Sequence, residues 1–210
     1  MAKIKAFKGI RYSDNIKDFS KILAPPYDVI NEKQQQEYYD MDPNNVIRLI
    51  LAKGEGDDRY KNASETYTKW LDEKTLIQDE EPSIYPYYQE FEFEGKKYNR
   101  KGFITTVKVE DFETKTVLPH EQTFKKHKED RLRLTTACNS NMSQVFSVYS
   151  DEQGSVEKLI DENLGEPIID VVSEDGIKNT FWKISDPVII SKIEELLDDK
   201  SLLIADGHHR

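Results

Sequence analysis

One cysteine, Cys138, is all the thiol chemistry this sequence has. An internal disulfide and a cysteine-built zinc site are both excluded. Long apolar runs are missing as well. No window reaches the length needed to span a bilayer, and the charged opening "MAKIKAFKGIRYSDN" has no apolar signal core. The expected location is therefore cytoplasmic, with no membrane partner. Positive charge is the scarcer sign: 30 basic residues face 40 acidic ones, for a net charge of −10. That balance disfavours broad contact with a nucleic-acid backbone, though it permits a local basic pocket. Internal repeats, low-complexity tracts and a long linker are absent too. The sequence carries no signal for oligomeric state.

What is present suits a soluble, folded chain. Hydrophobic residues make up 37% of it, enough for a core, although charged residues reach 33%. "KIKAFKGIRY" alternates like a strand. "NIKDFSKILA" places Ile16, Phe19, Ile22 and Leu23 at helical spacing, until Pro25 and Pro26 force an extended path. Asn31 is placed to cap a helix through "EKQQQEYYD", and "VIRLILA" is an apolar strand candidate. The clearest helix is "DDRYKNASETYTKWLDEKTL", with Tyr60, Ala63, Tyr67, Trp70 and Leu71 in one stripe. Alternation on both sides of "EGKK" predicts a β-hairpin. "FSVYS", "EPIIDVV" and "NTFWKIS" are further strands, and "GSVEKLIDENLG" is a short amphipathic helix. "DPVIISKIEELLDDK" predicts a helix with Pro187 just inside its start, and it leads into the apolar run Leu202–Ala205. The fold class expected is α+β, with mixed, largely antiparallel sheets and flanking helices. A loose subdivision into residues 1–115 and 116–210 follows, with a single domain as the alternative.

Three constellations carry the chemistry. The first is Asp206-Gly207-His208-His209-Arg210, which holds two of the four histidines. A glycine turn after a strand, followed by histidines and an arginine, reads as a phosphate cradle. An exposed Asp-Gly turn is the plain alternative. A metal site is disfavoured, because adjacent histidines on a strand point to opposite faces. The second is "LPHEQTFKKHKEDRLRL", which gathers His120, Glu121, Thr123, His127, Lys128, Asp130 and Arg131. It is not a zinc-protease motif, since His127 lies seven residues after His120 rather than four. It could supply a general base, a magnesium-binding carboxylate and phosphate-binding cations, or be a charged, solvated helix face. The third is "APPYDVI", a proline-stiffened loop. It either packs Tyr27 and exposes Asp28, or forms a pocket wall from both.

Taken in chain order, the segments resemble the bacterial and archaeal family called domain of unknown function 1015. The residues that carry the resemblance are Pro25–Ile30, then His120, Glu121, Thr123, Asp130 and Arg131, then Phe146, Tyr149 and Asp151, and last Asp206–Arg210. Family members continue past the last motif, so the resemblance implies an N-terminal portion of a longer protein. More distantly, "PVIISKIEELLDDKSLLIADGHHR" is similar to the core of the ParB/sulfiredoxin-like superfamily. That similarity implies a ParB/sulfiredoxin-like C-terminal part, and its free L-serine kinase branch carries a near-identical turn.

The resemblance implies a phosphoryl-transfer or nucleotide-hydrolysing enzyme acting on a small hydroxylated metabolite such as serine. Its cofactors would be a nucleotide, ADP or ATP, and Mg²⁺. Glu121, chosen by its position and company and not by the resemblance, would be the base, accompanied by His120, Asp206 and His209. Gly207, His208, His209, Arg210 and Arg131 would hold the nucleotide. Asp130 and Asp206 would hold the metal, and Tyr27 and Asp28 would line the substrate pocket. The alternatives are a non-catalytic nucleotide-binding or regulatory module, and an inactive fragment of a longer enzyme. The turn lacks the cysteine that sulfiredoxins need, and the chain shows no clear helix-turn-helix or basic surface of the ParB kind.

Overall fold

The computed structural model describes residues 2–121 and 125–209, without the side chains of 125–127. In chain order the first elements are β1 (Ile4–Lys5), β2 (Ile10–Tyr12), α1 (Glu32–Met41), α2 (Ile47–Ile50) and α3 (Asp58–Asp72). Then come β3 (Leu76–Gln78), β4 (Tyr85–Phe93), β5 (Lys96–Ile104), β6 (Thr106–Val107), β7 (Val117–Leu118) and α4 (Lys125–Cys138). The last are β8 (Phe146–Val148), α5 (Ser155–Asp161), β9 (Ile169–Val172), β10 (Lys178–Phe181), α6 (Pro187–Leu197) and β11 (Leu202–Asp206). With 33% helix, 25% strand and a wholly antiparallel main sheet, the fold is α+β. Among the described residues no helix is long and apolar enough to cross a membrane.

Two units, interleaved along the chain, make up the structure. The first comprises residues 1–10, 78–122 and 145–208, and the second 11–77, 123–144 and 209–210. Position 115 falls inside the first.

The first unit holds nearly all the strands. Its main sheet has the order β5-β4-β10-β9, and its second sheet the order β7-β11-β8. The β4–β5 hairpin closes where Phe93 pairs with Lys96. Glu94 and Gly95 both take positive φ there, 50° and 73°. That is the backbone a two-residue hairpin requires, and Gly95 adopts it without steric cost. The core joins α6 (Ile190, Ile193, Leu197) to α5 (Val156, Ile160), with Tyr88 of β4, Ile84 just before that strand, and Ile4 of β1. The helices start where their sequences cap them. Asp186 accepts from Val188 N ahead of Pro187, and the Asp151 carboxylate accepts from Val156 N at the start of α5.

The second unit is helical. The predicted stripe of α3 is its core: Tyr60, Ala63, Tyr67 and Trp70 are buried with Leu49, Leu76, Leu134 and Cys138. Burial pushes the Cys138 thiol up to about 11, so this one thiol stays protonated and inert. Asn31 caps α1 through a reciprocal box with Gln34, as the sequence predicts.

Three elements differ from expectation. The single strand expected over "KIKAFKGIRY" is two, β1 and β2, in different sheets. The helix expected over "NIKDFSKILA" is only a short 3-10 turn, Phe19–Lys21. Asp18 accepts from Ser20 N at its start, and Pro25 and Pro26 leave no room to extend. The strand expected at "VIRLILA" is instead α2. Asn45 is fully buried and accepts from Ile47 N, while its amide donates to the carbonyls of Lys21 and Leu23. That network starts a helical turn where apolar composition alone suggests a strand.

Candidate functional site

The first unit brings two distant segments to one sheet edge. β11 is the middle strand of its sheet, and Leu202 and Ile204 are buried while Leu203 is exposed. It runs parallel to β7, with Leu202 opposite Val117 and Leu203 opposite Leu118. Parallel strands end at the same edge, so residues after Leu118 and those after Asp206 are delivered together. The carboxyl edge of parallel strands is where open sheets commonly bind ligands. The pairing of β11 with β8 shifts register between Ile204 and Asp206. Gly207 then takes φ +86°, a left-handed conformation that glycine adopts freely, and this turns the chain into His208.

His120, Glu121 and His208 meet at that edge. His120 Nδ1 lies 2.5 Å from the Ile204 carbonyl oxygen, across 84 residues of sequence. A carbonyl only accepts, so Nδ1 donates and the neutral ring keeps its lone pair on Nε2. His208 Nδ1 lies 3.0 Å from Glu121 Oε1, within ion-pair distance of the carboxylate. The two imidazoles contact edge to face, with centroids 4.4 Å apart. The His208 side chain is 3% exposed and its Nε2 has no hydrogen-bond partner, whereas Glu121 is 53% exposed. One ligand-competent atom from each of the three residues lies within 4.8 Å of those of the other two.

A second charged cluster forms inside the helical unit. Asp130 Oδ1 accepts from the Tyr60 hydroxyl at 2.7 Å and meets Arg59 Nη2 at 2.7 Å. Its Oδ2 accepts from Arg131 Nε at 2.8 Å and also from Arg131 Nη2. Arg131 is itself buried, donates to the Ile50 carbonyl and lies over the Tyr27 ring, 3.6 Å from the centroid. Burial alone would raise the Asp130 carboxyl, but hydrogen bonds from Tyr60 and Arg131 and the charges of both arginines outweigh it. The carboxyl is held below its usual range. Burial, followed by the bond to Asp130, pushes the Tyr60 hydroxyl up, so it remains a donor.

The sequence-predicted residues thus fall into two groups. His120, Glu121 and His208 come together in one unit, and Tyr27, Asp130 and Arg131 in the other. Asp28 is exposed in the 3-10 turn Tyr27–Val29. Asp206 is exposed at the end of β11, paired with Phe146, and His209 is half-buried in the turn that follows. Thr123 and Arg210 lie outside the described residues, as does the side chain of His127. Of the other motif residues, Asp151 caps α5 and Tyr149 packs against the core and Phe103. Arg59 and Tyr60 are the partners that sequence reasoning missed. Tyr60 is visible there only as a core stripe residue.

In a comparison with known families, the model for "Protein of unknown function (DUF1015)" matches residues 4–210. The chain belongs to this family. The match covers both charged clusters, so each is built from residues within the DUF1015 region. No curated protein and no solved structure matches the chain.

Proposed function

We propose that the chain is a phosphoryl-transfer or nucleotide-hydrolysing enzyme whose reacting groups sit at the carboxyl edge of β7 and β11. One observation carries this reading. His120 and Glu121 of the middle motif meet His208 of the terminal motif in a single cluster. The similarity of the terminal turn to free L-serine kinases, within the ParB/sulfiredoxin-like superfamily, supplies the reaction class. The exposed Glu121 carboxylate is the group to take a proton from an attacking hydroxyl or water. Gly207, with no side chain, lets a phosphate approach the backbone, and the buried Nε2 of His208 is the unspent polar atom at the edge. His209 and Arg210 follow directly in sequence, and both residue types carry donors that suit a phosphate. Phosphoryl transfer needs such positioning and charge neutralisation more than covalent chemistry.

Magnesium fits the described side chains poorly. It prefers a near-octahedral shell of oxygens. Both oxygens of Asp130 are engaged by Tyr60 and two arginines, and Asp206 belongs to no ligand cluster among the described residues. A Mg²⁺ ion would therefore arrive with the nucleotide's own phosphates.

The test is an assay with ADP or ATP, Mg²⁺ and L-serine, scored for phosphoserine and for nucleotide turnover. Turnover is expected with one donor, falling by about 10² or more in Glu121→Gln. Absence of both products with either nucleotide would overturn the reading.

A further inference from the structure

We infer that His120, Glu121 and His208 bind a first-row divalent transition-metal ion of the zinc type. Three observations combine. First, one donor atom from each residue already lies within 4.8 Å of the others. Ligands around a tetrahedral ion at ordinary Zn–N and Zn–O lengths sit roughly 3.3–3.5 Å apart, so modest side-chain rotation closes the set. Second, the His120 ring is held in the manner of a metal-ligating histidine. It donates Nδ1–H to the Ile204 carbonyl. Such an outer bond fixes the tautomer that leaves Nε2 of His120 as the ligand atom. Third, His208 Nε2 is buried and unpartnered on a side chain that is 3% exposed. A buried polar atom without a partner is costly, and an ion at the cluster removes that cost.

The donor set decides the ion. Two imidazole nitrogens and one carboxylate suit zinc and its first-row neighbours, whereas magnesium and calcium take oxygen. Glu121 faces Nδ1, on the side of the His208 ring away from Nε2, so its exposed carboxylate leaves His208 and turns to the ion on binding. Three protein ligands on an edge where His120 and Glu121 are exposed leave a coordination position for water or a substrate oxygen. The metal-binding pair is not the adjacent His208–His209. It is His208 with His120, brought in by the parallel neighbour.

The inference stands on these donor atoms and does not need the phosphate reading. The experiment is a titration of the chelator-stripped chain with Co²⁺, followed in the visible spectrum, then displacement by Zn²⁺, with no nucleotide present. Expected are one Co²⁺ per chain, ligand-field bands that Zn²⁺ removes, and no competition from Mg²⁺. His120→Ala and His208→Ala should abolish the bands, and Glu121→Gln should weaken binding about tenfold or more. No stoichiometric Co²⁺ binding, or binding unchanged in His120→Ala, would overturn the inference. If His208→Ala fails to fold by circular dichroism, the exposed positions 120 and 121 carry the test. Nucleotide turnover without ion binding sinks this inference alone, whereas ion binding without turnover sinks only the phosphoryl reading.

Discussion

The two charged clusters use similar residue types to opposite ends. Around Asp130 every contact is closed: two arginines and a tyrosine saturate one carboxylate, and a tyrosine ring lies under the buried arginine. Around His208 the inner bonds are made but one buried nitrogen is left over, and the carboxylate beside it is half in solvent. A closed network contributes stability, and losing a member strands a buried charge. An open one contributes little stability and keeps binding capacity. Perturbed or unsatisfied groups at an accessible edge are more often functional than structural.

This contrast can be broken or sharpened by substitution. The largest effect is expected for Asp130→Ala, which leaves the buried Arg131 without its counter-ion. It should lose about 3 kcal/mol in urea unfolding. The same carboxyl sets a pH dependence. Its folded pKa lies below the unfolded one, so its contribution is complete above the ordinary carboxylate value, about 3.9, and is lost as pH falls through the lowered folded value. The wild-type chain should therefore shed this stability only below about pH 4, and Asp130→Ala should show a flatter acid limb there. Tyr60→Phe removes one bond to that carboxylate and should cost about 1 kcal/mol.

His208→Leu exchanges an unsatisfied buried imidazole for an apolar group. In metal-free buffer its midpoint should shift by less than about 1 kcal/mol. Glu121→Gln is smallest, within about 0.5 kcal/mol, because its side chain is 53% exposed. A large loss in either of the last two, measured without metal, would place the His208 cluster among structural networks and erase the contrast.

Much of the fold is legible in the sequence because its signals are local. The α3 stripe, the Asn31 cap, Pro187 at the start of α6 and the hairpin around Glu94–Gly95 all act within a few residues. α2 is not legible, because its helical turn depends on Asn45 reaching carbonyls 22 and 24 residues away. The members of the candidate site are legible as chemistry, since histidines, a glycine turn and a carboxylate stand out. Their meeting is not. It depends on a two-residue strand, β7, pairing in parallel with β11, and no periodicity marks so short a strand. Asp130 looks like a metal ligand in sequence for a related reason. Arg59 and Tyr60 lie 70 or more residues away on the core helix, and only tertiary packing discloses that they occupy it.

The parallel pairing of β7 and β11 has a kinetic and thermodynamic corollary. A hydrogen bond that spans 84 residues closes a long loop, and contacts of that separation form late, after their entropy cost has been met by other structure. The unfolded chain has no such cluster. Whatever binds there selects the closed sheet by mass action and raises its population with ligand concentration. Occupancy of the edge is thereby a direct gauge of whether the two halves of the first unit's sequence have found each other.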